Sequence, residues 1–330
     1  AIQILTKRIN ERGGVNGHPI ELVVYDDETN PTQAARGVRQ LIRQENVVAV
    51  IGSTIGSGTL AAAPIAMQSK VPMVAPNGTV TVTSKDKRFY PWVFRSLQSD
   101  VDQTVVLLEK ATAGGKNKVG LFYQEDAYGQ TMYEYLKEIA DERGVELVAV
   151  TSAPLTATDM TPQAMKLRNA EPEVVLLQAS APSTGAAFVR AAEQVGLSAP
   201  IWAQAGLAQQ AFIDASGGAG EGVHMVPMFN WHEPSPRLAQ FAQILRDNGH
   251  EPKGFGEIIG SNALLAVVEA AKSIDGEITG ESMRDALENL CPLETYQVGS
   301  ACYSVDNHDG WGTEGMKPVV IRDGKFRNVE

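Results

Sequence analysis

The chain has 330 residues, of which 43% are hydrophobic and 20% charged, and its formal net charge is −11. This length predicts two domains, and the composition is that of a soluble globular protein with a sizeable core. The acidic balance argues against binding to nucleic acid or to anionic membrane surfaces, because both require basic patches. No apolar run approaches the roughly 18–20 residues of a membrane span, so no direct membrane insertion is expected.

The chain begins with a helical pattern, because Ile2, Leu5 and Ile9 share one face before Gly13-Gly14 ends the run. A domain that begins on a helix, with no strand before it, looks truncated at its N-terminus. Processing that removes a leader would not also remove a first strand.

Apolar segments and helical segments then alternate along most of the chain. The predicted strands are 20–27, 47–52, 71–76, 118–124, 145–151, 173–180, 200–205 and 222–229. The predicted helices are 32–44, 57–69, 101–112, 129–143, 161–169, 183–195, 236–248, 260–273 and 281–290. Strands of nearly unbroken Val, Ile and Leu between helices of about 12 residues are typical of doubly wound α/β folds with parallel sheets.

The alternation restarts near residue 100, which predicts a second sheet. The helices after Phe229 could return to cover the first domain, so we expect discontinuous domains. We predict lobe 1 at 1–98 plus 228–313 and lobe 2 at 99–227 plus 314–330. Near the end of the chain, Asp323-Gly324 is a good two-residue hairpin turn.

Two neighbouring strand ends, in VIGSTIGSG and VPMVAPNGT, are rich in hydroxyl groups and bare backbone N–H groups. The residues concerned are Gly56, Ser57, Asn77, Gly78 and Thr79. Ligands of open parallel sheets bind beyond the carboxyl ends of the strands, and the donors of a helix N-terminus suit an anion. Two interpretations stay open: a cradle for a carboxylate, or simple capping by Ser57 with a turn at Asn77-Gly78.

The chemically reactive residue types form no catalytic or metal-binding pattern, and we predict neither an enzyme nor a cofactor. The five histidines are scattered, and no HExxH, GxSxG, Walker or dinucleotide motif occurs. Asp26-Asp27-Glu28 could suggest a metal site. It follows a predicted strand and precedes Asn30-Pro31, however, which favours a solvated turn.

The two cysteines, Cys291 and Cys302, are too far apart for a CxxC motif. The residues alone leave two possibilities open, namely two free thiols or one local disulfide. An oxidising compartment would favour the bond.

Segments along the whole chain resemble one family. The segments GGVNG, YDD, VIGSTIGSGT, VPMVAPNGT, WVFRSLQSD, EDAYGQ, GEGVHMVPMF and VDNHDG occur in the order found in type I periplasmic binding proteins of branched-chain amino acid ABC importers. The resemblance implies two doubly wound parallel-sheet lobes joined by a three-crossover hinge, which close around a solute. Family members open with a strand and a loop that nothing here matches, so we expect the first strand to be lacking.

The resemblance also implies site residues, a location and partners. Carried over residue by residue, it gives Gly56-Ser57 and Asn77-Gly78-Thr79 for the ligand carboxylate, and Tyr128, Ser180, Ala181 and Ala205 as further ligand contacts. It implies a monomer, periplasmic or extracellular and lipid-anchored, that passes a small carboxylate ligand to an ABC permease in the inner membrane. Such an oxidising compartment favours a disulfide between Cys291 and Cys302.

Ala205 departs from the family pattern, because amino-acid binders place an acid there to receive the ligand ammonium. A buried ammonium without an acidic partner costs several kcal/mol. Asn77 and Gln204 could accept hydrogen bonds but could not neutralise the charge. We therefore expect carboxylates that lack an α-amine, such as aromatic or oxo acids. The alternative is that another acid, such as Glu257, serves the ammonium.

Two other classes of function remain as alternatives. A ligand-sensing receptor or regulator could use the same fold for a small amide or amino acid, although the chain has no helix-turn-helix and no basic stretch. An enzyme is disfavoured by the lack of an acid–base constellation. Genes for a permease and an ATPase beside this gene would favour the transport function.

Overall fold

In a computed structural model of the chain, which describes residues 1–329 without the side chain of Ala127, the polypeptide divides into two units. Unit 1 comprises Ala1–Asp100, Gln240–Pro252 and Gly256–Gly312. Unit 2 comprises Val101–Ala239, Lys253–Phe255 and the chain from Thr313 onward. The chain passes from one unit to the other near residue 100, between residues 239 and 256, and after residue 312.

The helices and strands alternate over most of the chain. The α-helices are α1 (Ile2–Glu11), α2 (Pro31–Gln44), α3 (Gly56–Ser69), α4 (Asp100–Ala111), α5 (Ala127–Glu142), α6 (Thr161–Asn169), α7 (Pro182–Gln194), α8 (Gln210–Ser216), α9 (Pro236–Asp247), α10 (Gly256–Lys272) and α11 (Gly280–Glu288). The strands are β1 (Val50–Ile51), β2 (Met73–Ala75), β3 (Val93–Arg95), β4 (Lys118–Gln124), β5 (Glu146–Ala153), β6 (Val174–Gln178), β7 (Ile201–Ala203), β8 (His224–Met225), β9 (Leu293–Glu294), β10 (Ser300–Ala301), β11 (Val319–Arg322) and β12 (Lys325–Asn328).

Unit 1 contains a parallel sheet in the order β1-β2-β3. The apolar side chains of α2 and α3 pack against this sheet, where Val38 and Ala62 meet Val50 and Met73. Because the three strands are neighbours and run in the same direction, the loops that follow them leave the sheet at one edge. That edge carries the candidate groups of this unit.

Residues 20–27 do not form the predicted strand. The backbone groups of Glu21–Tyr25 make no hydrogen bond to any described part of the chain, and the side chain of Val24 is 69% exposed. This segment, the segment 47–52 and α10 line an apolar groove of 890 Å³. An extended segment forms a β-strand only when its backbone hydrogen-bonds to a neighbouring strand. The described residues contain no strand before β1.

Unit 2 contains a seven-stranded sheet in the order β12-β11-β8-β7-β6-β4-β5. The strands from β4 to β8 pair in parallel, and β11 and β12 form the predicted hairpin at Asp323-Gly324. Alternate residues of β6 pack on opposite faces: Val175 and Leu177 with the helix α7, and Val174 and Leu176 with α4 and α5. Helices on both faces of a largely parallel sheet make this unit doubly wound, as predicted.

The segment 228–239 belongs to unit 2 rather than to the predicted lobe 1. Its Asn230 side chain donates to the carbonyl oxygen of Phe326 at 3.1 Å and to Asn328 Oδ1 at 2.9 Å. These bonds attach the segment to the C-terminal hairpin. The sequence pattern showed a change from strands to helices here but not the contact that decides the boundary.

Cys291 and Cys302 form a disulfide with a Cα–Cα distance of 4.2 Å. The bond closes the loop that carries the two-stranded antiparallel pair of β9 and β10. The disulfide and the hydrogen bonds between β9 and β10 therefore both hold the two ends of this loop together.

Candidate functional site

In unit 1, the first candidate group is the N-terminus of α3. Its N-cap residue is Ile55, which offers no side-chain hydrogen bond, so the first N–H groups of the helix lack a capping side chain. Ser57 lies inside the first turn and is exposed, and its hydroxyl has no hydrogen bond among the described residues. Ser57 is therefore not the helix cap, and its hydroxyl remains available.

Asn77 holds the loop after β2 in place. Its side-chain amide is buried and donates to Ser53 O at 2.8 Å and to Thr59 Oγ1 at 3.0 Å. Its Oδ1 accepts the backbone N–H of Thr79 at 3.3 Å. These bonds use the polar atoms of the amide, so Asn77 positions its neighbours and its oxygen is already engaged.

Thr79 lies directly against the start of α3. A Cβ atom at Gly56 would overlap the hydroxyl oxygen of Thr79, so the approach requires glycine at position 56. The Thr79 hydroxyl makes no hydrogen bond within the part of the chain described, and the residue is half-buried. Ser57 and Thr79 thus present two hydroxyl groups beside an uncapped helix N-terminus, an arrangement that suits an anion.

The loop after β3 adds an acid at this edge of the sheet. Asp100 begins α4, and its backbone N–H donates to Gly78 O at 2.8 Å. Its carboxylate lies so close to Gly78 that a Cβ atom there would overlap Asp100 Oδ1. Burial raises the pKa of Asp100 to about 6, although the positive charge of Arg95 acts in the opposite direction.

Arg95 is fully buried and has other partners. Its Nε and Nη2 lie 2.9 and 2.8 Å from Asp309 Oδ1, and Nη2 also donates to Thr83 Oγ1 at 2.5 Å. Its Nη1 donates to the carbonyl oxygen of Gly78. The guanidinium therefore fixes the backbone of the loop after β2 through its hydrogen bond to Gly78 O. It forms no ion pair with Asp100.

In unit 2, the predicted residues follow three adjacent strands. Tyr128 follows β4, Ser180 and Ala181 follow β6, and Ala205 follows β7, and these strands are neighbours in the order β7-β6-β4. The fold therefore brings the predicted residues of this unit to one edge of its sheet. Within the unit, this is the position at which parallel sheets bind ligands.

Gln124 connects the ends of β4 and β6. The residue is 1% exposed, and its Oε1 accepts the backbone N–H groups of Ser180 at 2.8 Å and Ala181 at 3.3 Å. Its Nε2 donates to Ser180 Oγ at 2.9 Å and to Asp126 Oδ2 at 2.7 Å. A single buried amide thus fixes the backbone after β6 and links it to the side chain of Asp126 after β4.

Ala205 lies at the start of a short 3₁₀ helix and is 3% exposed. The preceding Gln204 donates to Ala179 O at 2.9 Å and accepts the Gly206 N–H at 2.7 Å. As with Asn77, both ends of this amide are engaged. Each amide oxygen already accepts one backbone N–H, and an uncharged amide would not neutralise a ligand ammonium.

The acids that the sequence singled out have partners of their own. Asp27 accepts from Ser53 Oγ at 2.5 Å and from the Thr29 N–H at 3.0 Å, in the turn before α2. Glu257 lies on α10, with Oε1 at 3.0 Å from His250 Nε2. Over residues 1–329, no group of three His, Cys, Asp or Glu side chains is arranged to hold a metal ion.

Sequence reasoning missed Asp100 and Gln124. Asp100 was visible only as the last letter of WVFRSLQSD, and Gln124 as the last residue of a strand. A polar residue where a buried parallel strand ends is a usable signal for the edge at which ligands bind. The partners of these residues come from other loops, so local spacing could not reveal them.

No helix within the described part of the chain is both long and apolar enough to span a membrane.

A sequence profile described as "Periplasmic binding protein" matches residues 1–325. The chain therefore belongs to the periplasmic binding protein family. Among curated proteins, it is 26% identical to the "Leucine-, isoleucine-, valine-, threonine-, and alanine-binding protein" of Pseudomonas aeruginosa, over 85% of this chain and 74% of that protein. It is 25% identical to "Leu/Ile/Val-binding protein homolog 2" of Brucella abortus, over 98% of this chain and 86% of that one.

Solved structures agree with the type I fold. A branched-chain amino acid ABC transporter protein from Thermus thermophilus with bound valine has a TM-score of 0.86 and 22% identity, covering 100% of this chain and 89% of that one. A type 1 periplasmic binding protein from Bordetella pertussis has a TM-score of 0.83 and 23% identity, covering 100% and 93%. The predicted family and fold class are confirmed.

Proposed function

We propose that this chain is the extracytoplasmic solute-binding component of an ABC importer and that it binds a small organic carboxylate. In this proposal the protein is a non-enzymatic monomer that passes its ligand to a permease in the inner membrane. The family membership and the names of the relatives support it. The relatives' ligands point to amino acids as the first class to test.

The carboxylate proposal rests on one observation, which is that Ser57 and Thr79 both lie at the N-terminus of α3. Both hydroxyl groups lie beside the uncapped N-terminus of α3 and have no partner within residues 1–329. Unsatisfied N–H donors and the helix dipole favour a negative group at this place. Asn77 and Gly78 then serve by holding Thr79 against Gly56.

For the remainder of the ligand we propose contacts with Tyr128, Ser180, Ala181 and Ala205. Ser180 and Ala181 have backbones fixed by Gln124, and both carry small side chains. Ala205 offers no charge. Taken alone, it favours an acid without an α-amine, such as an aromatic or oxo acid, over an amino acid.

A thermal-shift screen of amino acids, aromatic acids and oxo acids tests the proposal. A ligand at a hundredfold excess over its dissociation constant stabilises the folded protein by about 2.7 kcal/mol, which is readily seen as a shift in Tm. If no carboxylate in the screen raises Tm, the proposed ligand class is wrong.

The carboxylate contact is tested by Thr79→Val, which removes the hydroxyl and keeps the shape. Calorimetry should show binding weakened by about 1.5–3 kcal/mol, the range for a hydrogen bond to a charged group. Thr156→Val, in an exposed loop of unit 2, is the matched control and should leave affinity unchanged. Equal affinities for the Thr79 variant and the wild type would contradict the assignment.

A further inference from the structure

We propose that Lys166 and Gln163 prevent this protein from pairing with a second copy of itself through the open edge of β5. The inference concerns a surface of unit 2 that the proposed ligand contacts do not use. It names the partner that fits this surface, which is the antiparallel β5 of a second chain, and the two side chains that block the pairing.

The strand β5 lies at one end of the seven-stranded sheet of unit 2, and β4 is the only described strand that pairs with it. It is eight residues long, and the six residues from Leu147 to Ser152 are all half-buried. An edge strand of this length presents a row of backbone N–H and C=O groups to which another strand can pair. A protein that stays monomeric needs a feature that blocks such an edge.

Two carbonyl groups of this edge are already occupied by side chains. Lys166 Nζ donates to Val150 O at 2.8 Å, and Gln163 Nε2 donates to Ser152 O at 3.1 Å. An incoming strand would have to place its own N–H groups at these two oxygens. The lysine and the glutamine therefore compete directly with a pairing strand.

Without these side chains, the edge would suit a second copy of the same strand. Ala153 O accepts the Glu125 N–H at 2.8 Å on the β4 side, and successive residues of a strand direct their backbone groups to alternate neighbours. Val150 and Ser152 therefore direct both N–H and C=O away from β4. A two-fold axis at Thr151 would place Val150 of each copy opposite Ser152 of the other, so that each of these N–H groups would meet a carbonyl oxygen.

The helix α6 holds the two blocking side chains in place. Gln163 and Lys166 are three residues apart and so share one face of the helix, while Ala164 and Leu167 are buried in the core of unit 2. The lysine also carries a strongly hydrated charge, which is costly to enclose between two strands. The exposed Pro154, directly after β5, limits pairing beyond the strand.

The test measures self-association of a double variant, Lys166→Ala with Gln163→Ala, by sedimentation equilibrium over a range of protein concentrations. The control is Lys110→Ala with Gln130→Ala, which makes the same two changes at exposed positions of α4 and α5. A third protein adds Ser152→Pro to the double variant, because proline removes one outward N–H and is tolerated on an edge strand. Circular dichroism establishes that each protein is folded, and Lys166→Ala alone replaces the double variant if that one does not fold.

The wild type and the control should remain monomeric. The double variant should dimerise, with a dissociation constant at least about tenfold below the limit measured for the wild type, because both carbonyl groups of each edge become available as acceptors. Ser152→Pro should reverse this gain. In the double variant, hydrogen exchange of the backbone of residues 146–153 should slow as the dimer forms, and in the control it should not.

A double variant as monomeric as the wild type at the highest concentration would overturn the inference. A control that dimerises equally would overturn it as well, since loss of charge alone would then suffice. A dimer that survives Ser152→Pro would use another surface, and a wild type that already pairs through β5 would show that the side chains do not block the edge. None of the substituted residues is a proposed ligand contact, so ligand binding tests the proposed function separately.

Discussion

Replacing Asp100 by asparagine should make the ligand-free protein more stable, and more so at neutral pH than at acidic pH. The pKa of Asp100 is raised from 3.8 to about 6 in the folded protein. A carboxylate with a raised pKa destabilises the fold wherever it must ionise there. The cost is absent below a pH of about 4, grows between pH 4 and 6, and stays constant above pH 6.

The magnitude follows from a shift of about two pKa units, each equivalent to about 1.4 kcal/mol. Asp100→Asn should therefore raise the free energy of unfolding by about 3 kcal/mol at pH 7.5. At pH 5 the gain should be only about 1–2 kcal/mol, because part of the cost is already relieved by protonation. The nearby Arg95 remains paired with Asp309 in both cases.

The assay is urea unfolding of the ligand-free protein at pH 5 and pH 7.5, followed by tryptophan fluorescence, with wild type, Asp100→Asn and Asp275→Asn, which makes the same charge change at an exposed site of unit 1. If the m-value is the same for all three proteins, a shift in the unfolding midpoint reports a change in the free energy of unfolding. A loss of stability in Asp100→Asn, or a gain that is equal at both pH values, would refute the reasoning. A residue with a purely structural role would be expected to lose stability on this change, so the sign of the effect is informative.

Two further predictions concern the disulfide and Gln124. Replacing both Cys291 and Cys302 by serine should lower the free energy of unfolding by roughly 2–3 kcal/mol in the chain-entropy model, measured by urea unfolding against wild type; equal midpoints would contradict it. Gln124→Leu should leave the partly buried N–H groups of Ser180 and Ala181 without their acceptor and cost about 1–3 kcal/mol, with Gln130→Leu, on the exposed side of α5, as control. A Gln124→Leu protein as stable as this control would show that water or another group satisfies those donors.

Much of the fold could be predicted because periodicity and turn chemistry are local. The strand 118–124 and the helix 161–169 lie where the pattern put them, and most other helices agree within a few residues. The predicted strand 20–27 was wrong because its apolar pattern needs a neighbour to pair with. The helix α8 was missed because its seven residues are too short for a clear helical period.

The candidate site was less accessible to sequence reasoning, and Asn77 shows why. Its position at a strand end was predicted, but its role depends on Ser53, in the loop after β1, and on Thr59, in α3. The same holds for Gln124 and Asp100. Sequence spacing identifies which loops carry polar groups, whereas burial and hydrogen bonding decide which of those groups are engaged and which are available.

The two units carry different kinds of groups, and this difference suggests how specificity could change. In unit 1, Arg95 donates to Gly78 O and Asn77 accepts the Thr79 N–H, so altering Arg95 or Asn77 would disturb the loop that carries the Thr79 hydroxyl. In unit 2, Gln124 fixes the backbone of Ser180 and Ala181 through their N–H groups. Side-chain changes at Ala181 would therefore leave that scaffold in place. We propose that a larger residue at 181 reduces the size of ligand that this edge of the unit 2 sheet accepts, and that it leaves unchanged the pH dependence of stability predicted for Asp100.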